Sequence, residues 1–352
     1  MKKIVLAFDS FKGCITAKEA CDAAAMGVLS VCPEATVVQM PMSDGGEGLV
    51  KCVCQIIPTQ TISIRVHGPL KEDIMAEYAL SMDGRTAYME MAAASGLTLV
   101  PQDKRNPMVT TTYGVGEMIA DAVRRGCKTI IMGLGGSATC DGGRGMIMAL
   151  RDNDCLNPDC DVIAACDVSN PLFGRNGAAY IFAPQKGATP EQVALLDNHL
   201  RTFARETELA GIASPSLADY PGAGAAGGLG YALLAYLKAE LHSGIDIMLD
   251  LANFDEAIKD ADLVVTGEGK SDEQTLMGKV PHGVLRRCKK LGVPVWLLSG
   301  SIEDTSGILT KSFDFIRSIN YGDNRPISVL LQADVAKENL TKTMKNLTKD
   351  DE

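Results

Sequence analysis

The stretch IVLAFDSFKGCITAKEACDAAAMGVLSVCPEATVVQM, residues 4–40, decides the fold class. It opens with the apolar run Ile4–Phe8, which is typical of a strand buried in a parallel sheet. Thr16 followed by Glu19 is a capping box and predicts that a helix begins there. Residues 36–40 predict a second strand. A strand, a helix and a strand in this order indicate a parallel sheet.

The end of the chain repeats this alternation. Strands are predicted at Leu263–Thr266, Val295–Leu298 and Phe313–Ile319, and helices near 280–291, 301–310 and 328–347. With the first two strands they make five, and a flavodoxin-like order places the first strand beside the third. Ligands of such sheets bind outside the carboxyl ends of the strands, where the strand order reverses.

The middle of the chain has a different pattern. Residues 61–66, 73–80 and 86–91 alternate like antiparallel strands, and helices are predicted near 114–126, from Thr189, near 225–241 and near 254–260. A chain of 352 residues also usually forms two domains. We therefore predict a flavodoxin-like α/β parallel-sheet domain over 1–63 and 255–352. A second mixed α/β domain is inserted over 64–254, with the active site expected in the cleft between the two domains.

Composition limits the partners and the compartment. The 34 Lys and Arg against 44 Asp and Glu give a net charge of −10, which argues against nucleic-acid and anionic-membrane partners. The run Ile4–Phe8 is too short for a secretory signal, and no stretch has the length of a membrane span. The 11 cysteines show no zinc spacing, which favours a reducing, cytoplasmic location. Whether the protein is a monomer or a homodimer is left open.

Several predicted strands end in loops of glycine, serine and one or two acids. These loops are residues 9–13, 43–48, 133–143, 165–171 and 267–272, and a similar glycine-rich run covers 221–228. Glycines let backbone N–H groups approach an anion, and nearby Asp residues suit Mg²⁺. Lys12, Lys186, Lys270 and Lys279 can neutralise a phosphate or a carboxylate. Phosphoryl transfer needs these parts and little covalent chemistry.

One loop supports an alternative function. Gly133-x-Gly135-x-x-Ala138 follows a predicted strand, with Asp152 or Asp154 near the distance expected for a dinucleotide-binding fingerprint. A nicotinamide-dependent oxidoreductase is therefore the less favoured alternative, because the loop continues to Gly143 where a helix should already run. The sequence contains neither a Walker A motif nor a serine-nucleophile elbow.

Taken in order, these motifs resemble those of the type-1 glycerate kinase family. The matching segments are DSFKG at 9–13, SDGGEG at 43–48, MEMAAASGL at 89–97, TTYGVGE at 111–117, GLGGSATCDGG at 133–143, ACDVSNPLFG at 165–174, PQKGAT at 184–189, PGAGAAGGLG at 221–230, SGID at 243–246 and GEGKSDEQTLMGKVP at 267–281. The resemblance implies ATP-dependent phosphorylation of D-glycerate with Mg²⁺ in the cytoplasm, giving 2-phosphoglycerate. It also implies a flavodoxin-like domain carrying an inserted α/β domain.

The chain departs from the family pattern at a few positions. Cys140 stands where Asn is usual, Arg144 where a small residue is usual, and Lys270 where Arg is usual. The segment 149–162 is some tens of residues shorter than in the family. Since it adjoins two candidate site loops along the chain, a non-catalytic or altered-substrate relative is the alternative to an active glycerate kinase.

Motif position and residue chemistry assign candidate roles. Asp44 is the first choice for orienting or deprotonating the acceptor hydroxyl, Asp9 is the second, and Lys12 contacts phosphate beside them. The candidates for substrate binding are Ser10, Ser43, Arg105, Lys270, Lys279 and Asp272. The candidates for nucleotide and phosphate binding are Gly133, Gly135, Gly136, Ser137 and Glu268, and those for Mg²⁺ are Asp141 and Asp167.

Overall fold

A computed structural model of the chain describes residues 3–45, 48–156 and 158–350, the side chain of Asp350 excepted. Gly46 and Glu47 of the 43–48 motif and Asn157 of the shortened segment lie outside the described residues. The chain divides into two units: unit 1 is Met1–Asp44, Gln55–Ile57 and Ile245–Glu352, and unit 2 is Gly45–Cys54 and Pro58–Gly244.

Strands and helices are numbered here in chain order. The strands are β1 (Lys3–Phe8), β2 (Thr36–Gln39), β3 (Thr59–His67), β4 (Asp73–Ser81), β5 (Thr86–Glu90), β6 (Thr129–Gly133), β7 (Asp161–Ala165), β8 (Glu240–His242), β9 (Leu263–Gly267), β10 (Lys270–Ser271), β11 (Val295–Ser299), β12 (Ser301–Ile302) and β13 (Phe315–Ser318). The helices are α1 (Ala17–Leu29), α2 (Leu49–Ile56), α3 (Ala92–Ser95), α4 (Tyr113–Arg124), α5 (Arg144–Asp152), α6 (Ala178–Phe182), α7 (Pro190–Leu209), α8 (Ala225–Leu237), α9 (Gly244–Leu251), α10 (Phe254–Ile258), α11 (Val280–Leu291), α12 (Ile308–Ser312), α13 (Ile327–Leu330) and α14 (Ala333–Asp350).

Unit 1 contains the predicted parallel sheet. Its described strands form a five-stranded sheet in the order β13-β11-β9-β1-β2. Ile4 of β1 pairs with Leu263 on one side and Val37 on the other, both in parallel register. The first strand therefore lies beside the third, which confirms the flavodoxin-like order. Ile4–Phe8 is completely buried, as its apolar composition predicted.

The helix α1 begins where the capping box predicted. Thr16 Oγ1 accepts a hydrogen bond from Glu19 N, and the Glu19 carboxylate accepts one from Thr16 N. The helix packs closely on α14 at Gly27, where a Cβ atom would lie 2.5 Å from the carbonyl oxygen of Thr341. Glycine at this position thus lets the two helix backbones approach each other.

Unit 2 contains a mixed sheet in the order β3-β4-β5-β6-β7-β8. The first three described strands are antiparallel, and β5 through β8 are parallel. The predicted domain boundary at residue 63 falls inside β3, which pairs with β4 from Thr59 to His67. The unit lies instead between residues 45 and 244 of the chain, with residues 55–57 left to unit 1.

Two predicted helices differ from the structure. Residues 301–310 were predicted as one helix, but Ser301–Ile302 pairs with β10 as a short parallel strand, and α12 begins only at Ile308. The carboxylate of Asp304 accepts hydrogen bonds from Leu309 N and Thr310 N, and these bonds stabilise the first turn of α12. In α8, residues 226–228 have left-handed backbone angles that interrupt the helix. No helix within the described residues is long and apolar enough to cross a membrane.

Candidate active site

A cavity of about 360 Å³ opens at the carboxyl ends of the strands of unit 1. It lies outside the ends of β1, β9, β11 and β13, and β1 is the point at which the strand order reverses. The residues that line it are Asp9, Ser10, Phe11, Lys12, Cys14, Asp44, Glu268, Gly269, Lys270, Lys279, Gly300, Ser301, Ile319, Asn320, Ile327, Leu330, Leu331 and Ala336. The cavity therefore brings together seven of the residues predicted from sequence: Asp9, Ser10, Lys12, Asp44, Glu268, Lys270 and Lys279.

Asp9 is the buried acid of this cavity. It follows β1 directly, only 7% of it is exposed, and its Oδ1 accepts a hydrogen bond of 2.6 Å from Ser10 N. Burial raises the pKa of Asp9 to about 7, and the negative charges of Asp44 and Glu268 act in the same direction. A carboxylate with a pKa near neutrality is suited to take a proton at physiological pH.

Glu268 is fixed at the floor of the cavity. It follows β9 and is buried. Its Oε1 accepts hydrogen bonds from Thr275 Oγ1 at 2.7 Å and Ser271 Oγ at 3.2 Å, and its Oε2 lies 3.3 Å from Lys279 Nζ. These contacts hold Glu268 in one position and orient Lys279.

Three lysines supply positive charge to the cavity. Lys279 is the N-cap residue of α11, a helix whose N-terminus carries no side-chain cap. Lys270 forms an ion pair with Glu303, in which its Nζ lies 2.8 Å from Oε2. Within the described residues, Lys12 has no ion-pair partner. Because a helix N-terminus and lysine side chains both attract anions, the cavity suits a phosphate or carboxylate ligand.

The glycine-rich loop after β6 belongs to unit 2. Gly133 is the last residue of β6, Gly135, Gly136 and Ser137 lie in the loop, and α5 begins only at Arg144. A dinucleotide-binding fingerprint requires the helix to open directly after its glycines. The structure therefore removes the context on which the oxidoreductase alternative depended.

Lys186 holds this loop in place through hydrogen bonds to two of its residues. Its side chain is buried, and its Nζ donates hydrogen bonds of 2.7 Å to Ser137 Oγ and to the carbonyl oxygen of Thr139. Burial lowers the pKa of Lys186 to about 8. The sequence indicated Lys186 as a phosphate contact, but the geometry makes it a positioning residue for the loop.

The two acids predicted for Mg²⁺ also lie in unit 2. Asp141 Oδ2 accepts hydrogen bonds from the backbone N and the Oγ1 of Thr112 and from Gly145 N, and Oδ1 accepts one from Gly143 N. Asp167 Oδ1 accepts hydrogen bonds from Ser243 Oγ and Gly244 N. Asp141 thus caps the start of α5, and both acids are engaged by protein donors. The described residues contain no group of three potential metal-ligating side chains.

The remaining predicted residues lie outside the cavity lining. Ser43 is buried just before Asp44. Asp272 caps the 3₁₀ helix Glu273–Leu276, accepting a hydrogen bond from Gln274 N. Arg105 is in unit 2, where its Nε is buried without a hydrogen-bond partner among the described residues.

The apolar wall of the cavity was not predicted from the sequence. This wall is formed by Ile319, Ile327, Leu330, Leu331 and Ala336, which come from the end of β13 and from the region of α13 and α14. Residues 328–347 were predicted as one closing helix. Nothing in that pattern indicated that a break between Leu330 and Ala333 would place α13 beside the acids.

Comparison with known proteins gives a consistent result. The model of the glycerate kinase family matches residues 4–153 and 151–350. A glycerate kinase of Bacillus cereus is 41% identical over 373 aligned positions, covering 98% of this chain and 97% of the relative. A glycerate 2-kinase of Escherichia coli is 44% identical, covering 86% of each chain. The crystal structure of a protein assigned as glycerate kinase 2 from Salmonella typhimurium superposes with a TM-score of 0.85 at 37% identity, covering 99% of this chain and 98% of that one.

The comparisons also bear on the shortened segment. The Bacillus cereus alignment has 373 positions against 352 residues here, so at least 21 positions have no counterpart in this chain. The family match is in two parts that meet at residues 151–153. In the structure these residues end α5, and the chain then enters β7 at Asp161, on the amino edge of the sheet. The candidate loops at Gly133 and Asp167 follow the opposite, carboxyl edge, one strand length of about 16 Å away. The segment adjoins those loops in sequence only.

Proposed function

The chain belongs to the glycerate kinase family and is a kinase, and we propose that it transfers the γ-phosphoryl group of ATP to the 2-hydroxyl of D-glycerate. The products are ADP and 2-phosphoglycerate. ATP and glycerate are its small-molecule partners. Because the reaction consumes ATP, the proposed location is the cytoplasm. The observation that carries the site assignment is the unit 1 cavity, where buried and half-buried acids face lysines at the carboxyl ends of the strands.

Asp9 is the proposed general base. In the reaction, the acceptor oxygen forms a bond to the γ-phosphorus while the bond from that phosphorus to the β,γ-bridging oxygen breaks. The bond electrons leave with ADP, and the hydroxyl proton passes to the Asp9 carboxylate. The raised pKa of Asp9, about 7, supports this role, so Asp9, the second choice made from sequence, takes the place of the first choice, Asp44.

The lysines hold the charged ends of the two substrates. Lys12 is placed to contact phosphate oxygens, since it follows Asp9 closely and has no ion-pair partner within the described residues. Lys279, at the N-cap of α11, holds the glycerate carboxylate, with the helix N-terminus adding positive potential. Glu268 keeps Lys279 in place through their 3.3 Å contact.

The cavity also fits a magnesium ion bound together with ATP. Asp44 lies close enough to Asp9 for their charges to interact, and an added cation would relieve this repulsion. Asp44 would hold Mg²⁺, which usually takes one or two carboxylates plus phosphate oxygens. Bound there, the ion would neutralise charge on the phosphates. Asp141 is not retained for this role, because four protein donors already engage its carboxylate.

The test is an ADP-release assay with ATP, Mg²⁺ and each enantiomer of glycerate, with ³¹P NMR of the product. We expect turnover on D-glycerate and a 2-phosphoglycerate signal. A 3-phosphoglycerate signal would overturn the proposed acceptor hydroxyl. Lack of turnover, with D-glycerate still raising the melting temperature, would favour the alternative of a non-catalytic or altered-substrate relative.

A further inference from the structure

The unit 1 cavity is polar at one end and apolar at the other. Its polar end carries the acids and lysines described above. The apolar wall consists of Ile319, Ile327, Leu330, Leu331 and Ala336. Two of these side chains are unusually open for their type: Ile327 is 66% exposed and Leu331 is 51% exposed. Large apolar side chains that are exposed and line a cavity indicate a ligand surface.

The glycerate molecule does not account for this wall. Glycerate is a three-carbon acid whose every carbon carries oxygen, so it has almost no apolar surface to bury. The cavity, at about 360 Å³, lies within the range of about 300–1,000 Å³ found for sites that bind larger organic ligands. We therefore expect the wall to contact a second part of the bound ligands, one with apolar faces. Because lysines line the same cavity, this part should be connected to an anionic group.

Polar contacts near the wall are already formed within the protein. Asn320 follows β13, and its Nδ2 donates to the carbonyl oxygen of Gly300 while its Oδ1 accepts from Asn339 Nδ2. These bonds fix Asn320 and leave the adjoining wall to recognise its ligand mainly by apolar contact. A flat aromatic ring matches such a surface, because its faces are apolar and its edges are polar.

We propose that the wall formed by Ile319, Ile327, Leu330, Leu331 and Ala336 binds the base of the nucleotide, with the phosphates directed to Lys12. This inference rests on the proposed function, in which ATP is the donor. It places the nucleotide in unit 1, which contains Glu268, one of the nucleotide contacts predicted from the sequence, and not at the other predicted contacts, which lie at Gly133–Ser137 in unit 2.

The test replaces the two exposed wall residues, as Ile327→Ser, Leu331→Ser and the double variant. Both side chains are largely exposed, so the substitutions should leave the fold intact. The matched control is Met26→Ser, which changes a side chain that is 64% exposed on α1 and does not line the cavity. Binding of ADP and of inorganic tripolyphosphate is measured by calorimetry, and KM is measured for ATP and for D-glycerate.

We expect the double variant to bind ADP about tenfold more weakly and to show a similar rise in the KM for ATP. Tripolyphosphate binding and the KM for glycerate should change less than twofold, because neither molecule contains the base. Every value for Met26→Ser should also change less than twofold, because Met26 does not line the cavity. An unchanged ADP affinity, or a rise confined to the KM for glycerate, would overturn the inference.

The proposed function fails in a different way. If the wild-type protein does not phosphorylate glycerate but binds ADP in a manner that depends on the wall, the base site stands and the reaction is wrong. If the wild type turns over glycerate and the wall variants leave ADP binding unchanged, the reaction stands and the base site is wrong. A wild type that neither turns over nor binds ADP would overturn both.

Discussion

At the scale of single residues, Asp9 determines how activity should depend on pH. As the proposed general base it must be ionised, and burial beside Asp44 raises its pKa to about 7. We therefore predict that kcat/KM for Mg²⁺-ATP, which reports the enzyme before a cation reaches Asp44, falls about tenfold per pH unit below pH 7. Steady-state rates from pH 5 to pH 9 would test this. A profile that stays flat down to pH 5 would contradict Asp9 as the base.

The variant Asp9→Asn should separate activity from stability. Asn keeps the shape and the acceptor for Ser10 N but cannot take a proton, so kcat should fall by about 10²–10⁴. In the wild type the folded state holds the Asp9 proton between about pH 4 and 7 while the unfolded state releases it. The free energy of unfolding therefore decreases as pH rises through this window.

The variant Asp9→Asn has no carboxylate to titrate at this position, so its free energy of unfolding should not decrease for this reason between about pH 4 and 7. At pH 8, Asp9→Asn should unfold at the same denaturant concentration as the wild type or at a higher one. A clearly lower midpoint would mean that the Asp9 carboxylate is needed for folding. Circular dichroism of both proteins in urea measures this.

The sequence pointed to three acids that the structure brings to one cavity, but it could not indicate how they differ in burial. Asp9, Asp44 and Glu268 were all predicted because each follows a strand end, and all three line one cavity. Which of them has the raised pKa depends on burial, and burial is a tertiary property. For the same reason Lys186 could not be recognised as a positioning residue, because its two acceptors lie 47 and 49 positions away in the chain.

At the scale of helices, the close contact between α1 and α14 gives a stability prediction. A methyl group at Gly27 would lie 2.5 Å from the carbonyl oxygen of Thr341 and 2.7 Å from the Cβ of Met344. Alanine would gain about 0.5–1 kcal/mol of helix propensity, but overpacking against a rigid backbone costs about 1–3 kcal/mol. We expect Gly27→Ala to destabilise the protein by about 1–2 kcal/mol in urea unfolding.

The neighbouring residue provides the control. Met26→Ala changes an exposed side chain of the same helix and should alter the free energy of unfolding by less than about 0.5 kcal/mol. Equal effects at the two positions would show that the helix contact is unimportant for stability.

The start of a helix could be predicted where the sequence carries a capping signal, but an interruption inside a helix could not. The capping boxes at Thr16 and Thr189 both form as the sequence indicated. The left-handed residues Ala226–Gly228 inside α8 have no local signal that distinguishes them from ordinary helix-breaking glycines. Their backbone is held by tertiary contact, since a Cβ on Gly227 would lie 2.0 Å from the carbonyl oxygen of Thr139.

At the scale of the whole molecule, alternation of strands and helices predicted the parallel sheet of unit 1, and the flavodoxin-like order assumed for its five strands is confirmed. The bounds of unit 2 were harder to predict, because Gly45 and the strand β3 both group with unit 2 although they lie early in the chain. A Cβ atom on Gly45 would lie 2.7 Å from the Cβ of Ala165 and 2.7 Å from the Cα of Gly244. This contact joins residues far apart in the chain, so no local pattern reveals it.

The shortened segment gives the last prediction. It joins α5 to β7 at the amino edge of the unit 2 sheet, away from the loops at Gly133 and Asp167. Lengthening a flexible loop twofold costs only about 0.6 kcal/mol. We expect that inserting eight Gly and Ser residues between Pro158 and Asp159 leaves kcat/KM for D-glycerate within about threefold, since β6 and β7 still pair from Thr129 to Gly133. If the insertion abolished turnover while circular dichroism and the melting temperature stayed unchanged, the segment would have to act on the reaction, and a changed substrate would again be the better explanation of the deletion.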